Sequence, residues 1–241
     1  MPGVERLTGV ESLEGVASAY AAARDGIDSL LRDRGLRRTP PELTSESLLL
    51  GAHASAVLDG SVSTLDQVRT GAGDETAQAA LRLSVELLAL TPVLDRSPLQ
   101  ALARLHALAA PASSPDEERG RPRDAEAAAR LRSAVALLQA DRPALVASAL
   151  LHAELLTTEP FPSANGMVAR AAERLVLAAR GVDPTSLVVP EAGHLALRAA
   201  YESNLRGYAS GTTAGVQAWL LYCAEAYAKG AELSPLRGLG A

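Results

Sequence analysis

The chain has 241 residues, a net charge of −5, one cysteine (Cys223) and 3% aromatic residues against a hydrophobic share of 48%. A chain this long buries roughly 70–75% of its unfolded surface, so one large domain, or a domain with a helical arm, needs neither disulfides nor metals to fold. The acidic balance excludes general nucleic-acid binding, which needs dense basic surface, and a single cysteine excludes a disulfide framework and fits a reducing, cytoplasmic compartment. The scarcity of aromatics and the abundance of Ala and Leu favour close-packed helices over a β-sandwich. No run approaches ~18 uninterrupted apolar residues, so no membrane span is expected, and the first fifteen residues lack the apolar stretch of a signal peptide.

Residues 4–33 read as a helix, with Leu13, Val16, Ala17 and Tyr20 at helical spacing, interrupted by Gly9, Gly15 and Gly26. Gly35 is a stop, and 37–41 (RRTPP) a linker that cannot continue a helix. The organisation expected is an N-terminal helical arm and linker over 1–40 and a helical domain over 41–235. A second helix runs from about 42 to 58, with Thr44 or Ser45 as its cap, and Asp59-Gly60 ends it with turn chemistry. Helices are predicted over 74–90 (core face Leu81, Val85, Leu88), 98–110 (Leu99, Leu102, Leu105, Leu108) and 124–140 (Leu131, Val135, Leu138).

Between the last two lies a Pro-, Gly- and charge-rich segment, 111–124, expected on the surface. Pro143 starts the next helix, which ends near Thr157. A Pro-Phe-Pro turn follows, and Asn165-Gly166 opens another helix, on which Val168, Ala171, Ala172 and Leu175 share one face and Arg170 and Arg174 another. A small-residue loop opening a helix presents unpaired backbone N–H groups and a positive dipole end, a ready anion site. Gly181 ends that helix. Cys223 reads as a small buried residue of an amphipathic C-terminal helix, and the tail after Ser234 is expected to fray.

No P-loop, HExxH, CxxC or GxSxG pattern is present, and His53, His106, His152 and His194 are spaced too far apart in sequence to form a metal-ligand motif. The expectation is therefore no metal ligands, with each histidine packed or on the surface.

The stretch Glu159–Arg170, EPFPSANGMVAR, resembles the central motif of the Fic (filamentation) family, HPFxDGNGRxxR. Pro160, Phe161, Asn165, Gly166 and Arg170 match, and His152 stands where the family often carries a histidine on the preceding helix. Glu159 replaces the catalytic histidine, Ser163 the metal-binding acid, Ala164 the first glycine and Met167 the first arginine. The string SAVLDG resembles the family's inhibitory motif (S/T)xxxE(G/N), with Ser55 and Gly60 matching and Asp59 in place of the glutamate. The resemblance loosely covers 42–232, and by position it makes 111–123 a flap that clamps a target segment.

What the resemblance implies is an all-α, Fic-like helical bundle with an N-terminal helical arm and at most one short β-hairpin flap. It implies transfer of AMP from ATP to a protein hydroxyl, with the motif histidine as base, the acid holding Mg²⁺, and the loop and arginines holding phosphates. In this chain the phosphate-binding set carried over is Ser163, Asn165, Gly166 and Arg170. His152, Pro160 and Phe161 serve as scaffold, with His152 holding the loop by a hydrogen bond. Asp59 is expected within one bridging water of Arg170.

The replacements weigh against ordinary AMP transfer. Glutamate is a weaker base than histidine by ~3 kcal/mol at reference pKa values. Serine is a poor Mg²⁺ ligand. Methionine removes a charge-assisted phosphate contact. Three classes of function stand: a diverged Fic-fold protein that keeps at most phosphate or nucleotide binding, an active transferase using Glu159 as base, and a purely structural helical module. The ligands left open are ATP or another phosphate compound, with or without Mg²⁺. The partners left open are a protein target and a second copy of the chain.

Overall fold

The computed structural model describes residues 7–32, 40–139 and 141–240. Among these the chain is all helical, with no strand. No single helix is long and apolar enough to cross a membrane.

The first long helix, α1 (Val16–Arg32), is shorter than its periodicity suggests. Gly9 and Gly15 take left-handed backbone with φ of 73° and 77°, so the chain forms a short 3-10 turn over Val10–Ser12 before α1 begins. A left-handed residue cannot continue a right-handed helix, and glycine adopts that conformation at least cost. The expected stop at Gly35 and most of the linker lie outside the described residues. Helix α2 (Pro41–Leu58) starts on Pro40 and Pro41 rather than on a hydroxyl cap. Thr44 instead donates to the Thr185 carbonyl, and Ser45 to that of Pro41 one turn back. Asp59 ends the helix and Gly60 follows at φ 92°.

Helix α3 (Leu65–Arg69) opens with a capping box between Thr64 and Gln67. Helix α4 (Glu75–Glu86) is capped by Asp74, whose carboxylate accepts the Ala77 N–H. Its buried face is Ala77, Ala80, Leu83 and Ser84, whereas Val85 is 71% exposed. Alanines carry that face and contrast little with their surroundings, which is why the larger residues misplace it. A 3-10 turn then leads to α5 (Thr91–Arg96), a short helix with Pro92 in its first turn that the sequence reading left out. Helices α6 (Pro98–Ala109) and α7 (Ala125–Gln139) follow; Leu102, Leu105, Leu131, Val135 and Leu138 are buried, while Leu99 is half exposed.

The centre of the molecule is the hairpin of α8 (Ala144–Thr158) and α9 (Asn165–Ala179). Helix α8 is apolar nearly all round and buried to match. Its Leu145, Val146, Ala149, Leu150 and Ala153 face one core, shared with α1 and the later helices α11 (Arg198–Ala209) and α12 (Thr213–Glu232), around Trp219, Tyr208 and Tyr227. Its Ala147, Leu151 and Leu155 face a second core, built with α2, α4, α5, α6, α7 and α9 around Leu102, Leu105, Phe161 and Leu175. The α8–α9 loop therefore emerges between two packed walls. Helix α10 (Pro190–Ala196) closes one end. The tail does not fray as expected: Pro235–Gly240 form a 3-10 turn whose Leu236 is 2% exposed. Its apolar side chain is held in the first core.

Arg174 ties these layers together. It is 2% exposed and donates to Ser47 Oγ and O on α2, to Ser186 Oγ and O, and to Glu191 Oε2 on α10. A buried guanidinium with its hydrogens so fully used, and a carboxylate beside it, is satisfied rather than stranded.

Candidate active site

Helix α8 ends at Glu159, whose N–H reaches the Leu155 carbonyl and whose φ of 42° turns the chain out of the helix. The Glu159 side chain is exposed. Pro160 and Phe161 are buried, and the Phe161 ring stacks on His106 of α6 at 4.4 Å and 8°. The loop is closed from inside by Asn165: its Oδ1 accepts the Phe161 N–H at 3.0 Å and its Nδ2 donates to the Phe161 carbonyl at 2.9 Å. Both ends of the amide are thus used to hold loop shape. Ala164, just before α9, also takes left-handed backbone, at φ 54°.

Arg170 lies one turn into α9 and is 2% exposed. Its Nε donates to Ser55 Oγ at 2.9 Å, and its Nη2 to the Ser55 carbonyl at 3.1 Å and to Asp59 Oδ1 at 2.6 Å. The ion pair is direct, with no water needed. Burial works against the charge on Arg170, but the Asp59 carboxylate and the Tyr201 hydroxyl more than offset it and hold its pKa above the ordinary value. Gly60 only ends α2. The same Asp59 oxygen lies over the start of α9: a Cβ on Gly166 would come within 2.6 Å of it. The helix start that could hold an anion already has the protein's own carboxylate beside it.

A cleft of about 550 Å³ opens here, a size ordinary for small-molecule sites. It brings together Asp59, Glu159, Phe161, Ser163, Asn165, Gly166 and Met167, and adds Glu75 and Arg123, which sequence reading did not single out. The charged side chains on its walls are three carboxylates and one guanidinium, a poor balance for a polyphosphate. The 111–124 segment forms turns, not a hairpin, and is fastened to this edge: Arg123 N–H donates to the Pro160 carbonyl, Arg123 Nη2 to that of Thr158, and Glu75 accepts the Ala112 N–H.

Ser163 Oγ lies 3.5 Å from His106 Nε2. That pair is not a nucleophile and its base. His106 Nδ1 accepts the Gly120 N–H, so the ring proton sits on Nε2, which can donate to Ser163 but cannot take its proton. Burial and the neighbouring Arg119 charge push the His106 pKa down to about 4.

His152 does not hold the loop, as was expected of it. It is fully buried, with Nε2 2.8 Å from the Tyr201 hydroxyl and Nδ1 3.0 Å from Glu173. The C-terminal helices carry the partners that redirect it, and no local pattern around residue 152 marks them.

The arrangement of α2, the α8–α9 hairpin and the C-terminal helices is the Fic fold. A Fic family protein from Desulfovibrio desulfuricans G20 superposes with a TM-score of 0.71 at 18% identity, over 89% of this chain and 73% of its own. Fic-1 from C. elegans does so at 0.68 and 16%, over 93% and 72%, and a point variant of it at 0.68 and 16%, over 90% and 71%. No family model matches the chain, and no curated protein does.

Proposed function

We propose that this chain is a Fic-fold protein that does not transfer AMP and whose phosphate position is held shut by its own Asp59. The observation that carries the reading is the 2.6 Å Asp59–Arg170 contact over Gly166, which engages the motif arginine and fills the space above the helix start with negative charge. The chemistry at the other positions points the same way. Glu159, in place of a histidine base, is exposed to water. Ser163 faces His106 rather than standing as an anionic metal ligand. Met167 is 4% exposed and packs into the second core, so it offers no charge to a phosphate. Asn165 and Phe161 keep the loop's shape. Any retained ligand is then a phosphate compound that enters only when Asp59 swings aside, and any protein partner meets the cleft edge formed by 111–124.

The test is mass spectrometry of the chain, alone and with a lysate of candidate targets, after incubation with ATP and Mg²⁺. No adenylylated peptide is expected. Adenylylation that is lost in Glu159→Ala would establish the alternative, a transferase with Glu159 as base.

A further inference from the structure

Behind the cleft, three helices each send one ligating side chain to a single point in the core: His152 from α8, Glu173 from α9 and His194 from α10. All three side chains have no exposed surface, and their ligating atoms lie within 4.8 Å of one another. We propose that His152 Nδ1, Glu173 Oε2 and His194 Nε2 bind a divalent transition metal of the zinc class, as a structural site that joins these three helices.

The first argument is charge. Glu173 is a wholly buried carboxylate, and no lysine or arginine among the described residues pairs with it. Arg170 and Arg174, on the same helix, are engaged by Asp59 and Glu191. A buried anion needs a countercharge, and here it can come only from a protonated imidazole or from a bound cation. The second is direction. His194 Nε2 lies 2.9 Å from Glu173 Oε2 in hydrogen-bond geometry. His152 Nδ1 lies 3.0 Å from the same oxygen but out of line, and this buried atom has no hydrogen-bond partner.

The third is the outer ring of contacts. The remaining ring nitrogens are each met by a phenol, His152 Nε2 by Tyr201 at 2.8 Å and His194 Nδ1 by Tyr222 at 2.7 Å. The other oxygen of Glu173 accepts from Tyr227 at 2.8 Å. A ligating histidine commonly donates its free N–H to an oxygen, which fixes the tautomer and aims the inner nitrogen at the metal. Here both histidines and the carboxylate are held that way. Two imidazoles and a carboxylate suit zinc, with the fourth position left to a water. With no exposed ligand, the ion would enter as the chain folds.

The full untagged chain, purified without added metal and dialysed against a weak chelator, is analysed for metal by inductively coupled plasma mass spectrometry. It is then refolded with Zn²⁺ or Co²⁺. About one metal per chain is expected, and the Co²⁺ form should show visible ligand-field bands. Glu173→Gln and His194→Gln should each lower metal content at least tenfold, while His53→Gln leaves it unchanged. Should the core variants not fold, X-ray absorption of the wild-type metal decides, since two imidazoles and one carboxylate are expected in its shell. Folded wild-type protein that takes up no metal in either form overturns the site. So does metal retained by both core variants, or a shell containing sulfur or lacking imidazole.

Discussion

Asp59 Oδ1 stands 2.6 Å from Arg170 Nη2 and at the same time occupies the space a side chain on Gly166 would need. One carboxylate thus does two things: it neutralises a buried guanidinium, and it covers the positive end of α9. The aspartate is a methylene shorter than the glutamate of the motif it resembles. It still reaches because α2 ends at Asp59 itself, directly across from the first turn of α9.

The backbone at the loop's end predicts opposite effects for two small substitutions. Ala164 carries a φ of 54° that glycine tolerates better, so Ala164→Gly should stabilise the fold by up to ~1 kcal/mol. Gly166→Ala would gain helix propensity but drives a methyl into Asp59, and should lower the denaturation midpoint. In an Asp59→Ala background the same change should become neutral or stabilising. Denaturant titration of the wild type and the four variants measures both signs.

Arg174 should matter to stability and not to ligands. Arg174→Met leaves Glu191 buried and unpaired, together with the hydroxyls of Ser47 and Ser186. The expected cost is ~3–5 kcal/mol. Glu191→Gln keeps a hydrogen-bond acceptor but leaves the Arg174 guanidinium buried without its countercharge, and should cost a similar ~3–5 kcal/mol. Thermal unfolding of each variant checks this; a Glu191→Gln protein as stable as the wild type would contradict it.

His106 predicts a pH dependence. Its folded pKa is about 4, below the unfolded value near 6.5, because burial and Arg119 oppose its charge. The unfolded chain therefore binds the extra proton first. Its contribution is fully present above pH 6.5 and is lost as pH falls towards 4. The denaturation midpoint of the wild type should drop across that window more than that of His106→Gln. Parallel curves would remove His106 as the cause.

Much of this architecture was legible in the sequence, and the gaps have local causes. The apolar positions of 98–109 and 165–179 recur at helical spacing, 144–158 is apolar nearly all round, and the resemblance of two motifs to those of the Fic family placed Asp59 beside Arg170. Alanine-rich helices such as α4 hid their inward face. The six-residue α5 is too short to show a period. His152 departs from its expected role because its partners, Tyr201 and Glu173, come from distant segments, whereas His106 is packed as expected, against Phe161. The charge of the cleft depends on Glu75 and Arg123, whose approach to the loop only the fold determines.

The claim that the phosphate position is shut by Asp59 is tested most directly by calorimetric titration of ATP, with and without Mg²⁺, into three proteins. These are the wild type, Asp59→Ala, and Asp59→Ala with Arg170→Met. The wild type should bind at least tenfold more weakly than Asp59→Ala, and the double variant should lose what the single one gained. Wild-type binding as tight as that of Asp59→Ala, or binding indifferent to Arg170, would contradict the account.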